Sequence, residues 1–77
     1  MPIWRKISSG FAQGPETVLT LSRGQEVKIE TFWTDEDGVT VTVDAGDSML
    51  LREDAEQLGL TVIQMASTPA PTPEDLA

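Results

Sequence analysis

The 77-residue chain contains no cysteine and no histidine, and only five of its residues are lysine or arginine. Each absence closes off a class of chemistry. Without cysteine there are no disulfides, and without cysteine or histidine the usual zinc and transition-metal sites lose their thiolate and imidazole ligands. Nucleophilic catalysis needs a nucleophile beside a base. Here the serines lie in loop-like segments with no lysine at motif spacing, so the expectation is a protein that is not an enzyme. Acidic residues outnumber basic ones 13 to 5, for a net charge of -8. Nucleic-acid binding requires clustered Lys and Arg to neutralise phosphates, so neither nucleic acid nor an anionic membrane is an expected partner. No apolar run approaches the length of a membrane span, and residues 1–6 lack the apolar core of a secretory signal. The expected location is cytoplasmic at synthesis.

A chain of this length forms one small domain, whose core rarely supplies more than roughly 3–5 kcal/mol. Small natural domains add disulfides, a metal or a partner. With the first two disfavoured, self-association or docking on another protein is the expected reinforcement. No cofactor and no small-molecule substrate are expected.

What the chain does have is alternation. Residues 17–22, 26–33 and 39–44 are rich in β-branched residues and read as strands, preceded by a short strand at 2–7. The two glycines, two serines and proline of residues 8–15 read as a loop, with Phe11 as a lid on the core. Side chains in a strand alternate faces with period two, so parity constrains the register. Leu19 and Leu21, Val27, Ile29 and Trp33, and Val39, Val41 and Val43 share one face only if odd residues pair with odd ones. A three-residue loop Glu36-Asp37-Gly38 satisfies this, with Trp33 opposite Val41 and Thr31 opposite Val43. A loop Arg23-Gly24-Gln25 does the same, with Leu21 opposite Val27 and Leu19 opposite Ile29. The inner face is then Leu19, Leu21, Val27, Ile29, Trp33, Val41 and Val43. The outer face is Val18, Thr20, Lys28, Glu30, Phe32, Thr40 and Thr42, as in a half-solvated antiparallel sheet.

Residues 45–47 break the pattern, and 48–51 fit either a short strand or a helix start. Residues 52–58 read as a short helix ended by Gly59, and 60–65 as a last strand. Residues 66–77, rich in Pro and Thr, form an acidic tail expected to be disordered. The fold expectation is mainly β: an antiparallel meander closing into a small SH3-like barrel or roll, with one domain over 1–65 and a tail over 66–77. Closure would hide the sheet edges.

The acidic hairpin loop Asp35-Glu36-Asp37-Gly38 departs from the calcium-loop pattern, because its glycine comes early and strands flank it. It reads as a solvated tip. The candidate partner-binding residues are Phe32 and Trp4, each either an exposed contact or covered by a second layer, together with Lys28, Asp35, Glu36 and Asp37. The end of the tail, residues 74–77 behind a proline-rich spacer, has the form of a tethered docking peptide or of a solubilising tail.

The segment Val43-Asp-Ala-Gly-Asp-Ser-Met-Leu-Leu-Arg-Glu-Asp-Ala-Glu-Gln-Leu-Gly-Leu60 resembles one seen in small phage and prophage virion-associated β-domain proteins. In these a strand leads to Gly-Asp, an apolar pair and a short helix. The resemblance covers about a quarter of the chain and transfers no functional residues. It implies a small structural or accessory protein of phage assembly, and extends the expected location to the virion. The alternative is an acidic inhibitor that occupies a basic, nucleic-acid-binding surface of a host or defence protein. In that reading Glu30, Asp35, Glu36, Asp37, Asp44, Asp47, Glu53, Asp54 and Glu56 stand in for phosphates.

Overall fold

The structure is a computed structural model that describes residues 3–45 and 49–77. Four strands, β1 (Arg5–Ser8), β2 (Phe11–Thr20), β3 (Glu26–Thr34) and β4 (Gly38–Asp44), are followed by one helix, α1 (Arg52–Ala66). The strands form one antiparallel sheet in the order β1-β2-β3-β4. β1 and β4 are its two edges and do not pair, so the sheet is an open meander and not a closed barrel. Among the described residues no helix is long and apolar enough to cross a membrane.

The parity expected from the sequence holds, but both hairpins are shifted by two residues. Leu19 pairs with Val27 and Thr17 with Ile29. Trp33 pairs with Val39 and Thr31 with Val41. Parity permits any odd-to-odd register, and turn chemistry selects among them. At the β2–β3 connection the Leu21 N–H donates to the Gln25 carbonyl (2.8 Å) and the Gly24 N–H to the Leu21 carbonyl (2.9 Å). Leu21 therefore leaves the ladder yet stays buried beneath the turn. At the β3–β4 tip, Thr34 Oγ1 accepts the Asp37 N–H (3.0 Å), so the loop is Asp35-Glu36-Asp37. Gly38 follows at φ +74°, a conformation glycine adopts without steric cost.

Residues 8–15 are not a loop. β2 starts at Phe11 and runs through Gly14 and Pro15, which fall within a register shift between Gln13 and Glu16. Glycine and proline inside a strand mark such a bulge. Thr31, fully buried on β3, closes it by donating its hydroxyl to the Pro15 carbonyl (2.7 Å). β1 spans 5–8 and not 2–7; residue 2 lies outside the described residues, and Ile3 and Ile7 are exposed.

The largest departure follows β4. The expected break at Gly46-Asp47 and the ambiguity at Ser48 fall on residues 46–48, outside the described residues. Beyond them a single helix runs from Arg52 to Ala66, replacing the expected short helix, glycine stop and final strand. Glu53 and Asp54 in the first turn favour the positive N-terminal end of the helix. Gly59 sits inside the helix, with open space where a Cβ would project. Leu58, Val62 and Met65, spaced i, i+4, i+7, pack against Leu21, Val27 and Ile29. Leu60 and Ile63 face solvent, and the β-branched run Thr61-Val62-Ile63 is what resembles a strand in the sequence. The helix ends where Thr68 precedes Pro69, a position that disfavours helical backbone.

The inner face of the sheet is thus covered in two places. α1 covers the Leu21, Val27 and Ile29 cluster. Trp4 (3% exposed) lies against Gly14, where the Thr31 hydroxyl also approaches, and its indole Nε1–H donates to the Pro69 carbonyl (2.8 Å). Trp33 and Val41 are on this face but half-buried, and Val43 is exposed. A buried carboxylate fastens the start of the helix: Asp54 Oδ1 accepts from the Ser22 hydroxyl (2.7 Å) and the Ser22 N–H (3.2 Å). After Pro69 the tail has no strand or helix. It forms a local turn in which Thr72 N–H donates to Asp75 Oδ2 (2.9 Å) and Asp75 N–H to Thr72 Oγ1 (3.3 Å).

Two glycines make opposite predictions. A Cβ on Gly14 would lie 2.5 Å from Thr31 Oγ1 and 2.8 Å from Trp4 Cζ3. Gly14→Ala should therefore cost about 1–3 kcal/mol in urea unfolding, as overpacking does. Gly59→Ala should add about 0.5–1 kcal/mol, because it improves helix propensity and meets nothing. Replacing either partner of the Ser22–Asp54 pair by alanine should cost about 1–3 kcal/mol, with strong coupling in a double-mutant cycle.

Candidate functional site

With the helix and Trp4 on one face, the other face of the sheet carries no second layer among the described residues. It is built from alternate residues of three strands: Phe11, Gln13, Glu16 and Val18 on β2, Lys28, Glu30 and Phe32 on β3, and Thr40, Thr42 and Asp44 on β4.

At one end the Phe11 and Phe32 rings stack, with centroids 5.6 Å apart and planes inclined by 12°. Both side chains remain half-exposed. Phe11 is thus not a lid on the core; its even partner across the bulge sets it on the outer face. Beside the pair, the Asp35 N–H donates to the Gly10 carbonyl (3.1 Å), tying the acidic tip to the β1–β2 turn. Asp35, Glu36 and Asp37 are all exposed. An aromatic platform and three carboxylates therefore share one end of the sheet.

The middle of the face is polar. Glu16 and Glu30 sit directly opposite each other, a like-charge pairing that destabilises a sheet by itself. Gln13 Nε2 donates to both carboxylates, at 3.5 and 3.4 Å, and Lys28 Nζ lies 3.8 Å from Glu16 Oε2. Arg5 Nη2 donates to Gln13 Oε1 (2.9 Å) and extends this chain of contacts to the β1 edge. The Lys28–Glu16 pair is about half exposed, and such pairs contribute little to stability.

Of the expected contact residues, the structure brings Phe32, Asp35, Glu36 and Asp37 together. Lys28 stands six residues along β3 from Thr34, roughly 20 Å away at the strand rise, and is engaged with Glu16. Trp4 lies on the opposite face and is buried, so it is an anchor of the fold and offers no surface to a partner. Phe11 was missed, because residues 8–15 look like a loop; the bulge signalled by Gly14-Pro15 was the available clue. Asp54 likewise cannot display its charge, being 4% exposed and bonded to Ser22, and Asp47 lies outside the described residues.

An open recess of about 220 Å³ beside the bulge is lined by Ile3, Trp4, Arg5, Gln13, Gly14 and Glu16. Its ionisable lining groups are Arg5 and Glu16. Among the described residues no three His, Cys, Asp or Glu side chains are grouped so as to hold a metal ion. Compared with known proteins, the chain matches no family model, no curated protein and no solved structure.

The stacking predicts an energetic coupling. A double-mutant cycle with Phe11→Ala and Phe32→Ala, read by urea unfolding, should give an interaction of about 0.5–1.5 kcal/mol. Coupling near zero would mean that the rings do not meet.

Proposed function

We propose that this chain is a non-enzymatic protein-binding module that docks through the outer face of its sheet. The observation that carries the reading is the stacked Phe11–Phe32 pair, left half-exposed beside the exposed Asp35, Glu36 and Asp37. Aromatic side chains, Phe among them, are enriched at the buried core of protein interfaces relative to the rest of the surface. A carboxylate rim beside them selects a partner with Lys or Arg around an apolar contact, and steers its approach. The resemblance over residues 43–60 supports a more specific role as a structural or accessory component of phage assembly.

A second reading gives charge the main part and spreads it from the tip to the far end of β4 and the start of the helix. The exposed carboxylates of the tip, with Asp44, Glu53 and Glu56, would occupy a basic nucleic-acid-binding surface of another protein as phosphate mimics. The two readings differ in salt dependence. Docking led by the aromatic pair persists at high salt, whereas phosphate mimicry is lost as charges are screened.

The test is native mass spectrometry and titration against the products of neighbouring genes. A retained product should bind Phe32→Ser at least about tenfold more weakly, equivalent to about 1.4 kcal/mol. Neutralising the tip with D35N, E36Q and D37N should slow association more than it speeds release. If no product is retained, or if Phe32→Ser binds like the wild type, the reading is wrong.

A further inference from the structure

The two edges of the sheet are not alike. β1 is four residues long, irregular in register between Lys6 and Ser8, and carries Arg5 and Lys6. Shortness, irregularity and basic side chains are the devices that keep an edge from pairing. β4, residues Gly38–Asp44, has seven residues in regular register with β3 and contains no lysine, arginine or proline. On its far side it has no strand neighbour among the described residues. An edge strand of this length leaves a row of backbone donors and acceptors facing outward.

The sequence of β4 is self-complementary. Residues 39–43 read Val-Thr-Val-Thr-Val, a palindrome centred on Val41. An antiparallel pairing with an identical strand about a two-fold axis at Val41 places Val39 opposite Val43, Thr40 opposite Thr42, and Val41 opposite Val41. All three valines lie on the inner face and both threonines on the outer face. Inner therefore meets inner and outer meets outer across the new seam, as a continuous sheet requires. β-branched pairs across strands are favourable, and Thr–Thr pairs add hydrogen bonds. The pairing also covers Val43, which is 40% exposed at the open end of the core.

We infer that β4 is the seat of a two-fold dimer in which two copies of this chain form one eight-stranded antiparallel sheet. The occupant is a second copy, because the same palindrome that suits β4 to itself suits no arbitrary strand as well. Main-chain bonds supply affinity in such strand addition, and the alternating side chains supply register. A C2 interface of this kind is self-complementary by construction. The reinforcement that a cysteine-free domain of this size calls for is thereby supplied by the fold itself. The dimer uses the edge of the sheet and leaves the Phe11–Phe32 platform free, so it stands or falls independently of the docking proposed above.

Charge opposes the association. Each copy carries -8, and Asp44 of one comes opposite Gly38 of the other, next to the partner's acidic tip. Screening should therefore tighten the dimer, the opposite of what an interaction held by the carboxylates would show.

The absence of native cysteine makes register directly testable by cross-linking. Sedimentation of the full chain should show concentration-dependent dimerisation that strengthens about tenfold between low and high salt. Under oxidation, V41C should form a disulfide dimer. T40C and T42C, at outer-face positions, should each stay uncross-linked alone but give a heterodimer when mixed, since 40 faces 42 across the two-fold axis. The mixed pair keeps the test decisive if V41C disturbs the core. A chain that sediments as a monomer at all concentrations and salts overturns the inference. So does cross-linking of T40C alone that equals that of the T40C and T42C mixture.

Discussion

The packing of Trp4 over Gly14 holds together parts of the chain that are far apart in sequence. The indole rests where glycine leaves room and gives its N–H to the Pro69 carbonyl. One side chain thus joins the segment before β1, the bulge in β2 and the segment after the helix, and the bulge is in turn bonded to Thr31 in the middle of β3. Each contact removes a difficulty that another creates. The bulge interrupts the β2–β3 ladder, and Thr31 restores a partner to the Pro15 carbonyl. Thr31 is a buried polar residue, and that hydrogen bond satisfies it. The buried indole N–H would itself be costly without the Pro69 carbonyl.

This arrangement makes the sheet two-sided. The helix and Trp4 between them cover the inner face, with Val27 and Ile29 fully buried beneath. Nothing among the described residues does the same for the outer face, which is left with a stacked aromatic pair, a web of weak polar contacts and an acidic tip. The polar web offsets the repulsion of Glu16 and Glu30 but contributes little beyond that. A domain with one closed and one open face, and with one blunted and one clean edge, has its association surfaces defined by what the fold leaves unfinished. The proposed partner docking and the proposed dimer use different parts of that unfinished surface.

Much of this was legible in the sequence, and the failures have physical causes. Parity correctly assigned Val27, Ile29, Val41 and Phe32 to their faces, because a half-buried sheet enforces period two. It could not separate registers that differ by two residues; the backbone bonds around Leu21 and Gln25 and the Thr34 side chain at the tip make that choice. Gly14-Pro15 reads as punctuation in one dimension and is a bulge in three. Residues 60–65 read as a strand because the β-branched run Thr61-Val62-Ile63 follows Gly59, whereas solvent-facing Leu60 and Ile63 and core-facing Val62 and Met65 divide as on a helix. Helix propensity across 52–66 outweighed Gly59, which costs only about 1 kcal/mol in a helix interior. Trp4 gave no sign of which layer would bury it, since its packing partner lies at position 14 and its hydrogen bond at 69. The Asp54–Ser22 contact was equally hidden by a separation of 32 residues.

The most direct measurement of the central claim is hydrogen exchange at the two indole N–H groups, resolved by NMR. The Trp4 N–H should exchange slowly, at a rate set by opening of the whole domain, and it should lose that protection when the chain is shortened to end before Pro69. The Trp33 N–H, half-exposed and without such a bond among the described residues, should exchange faster in both forms. Rapid exchange at Trp4 in the full chain, or protection that survives removal of Pro69, would contradict the account.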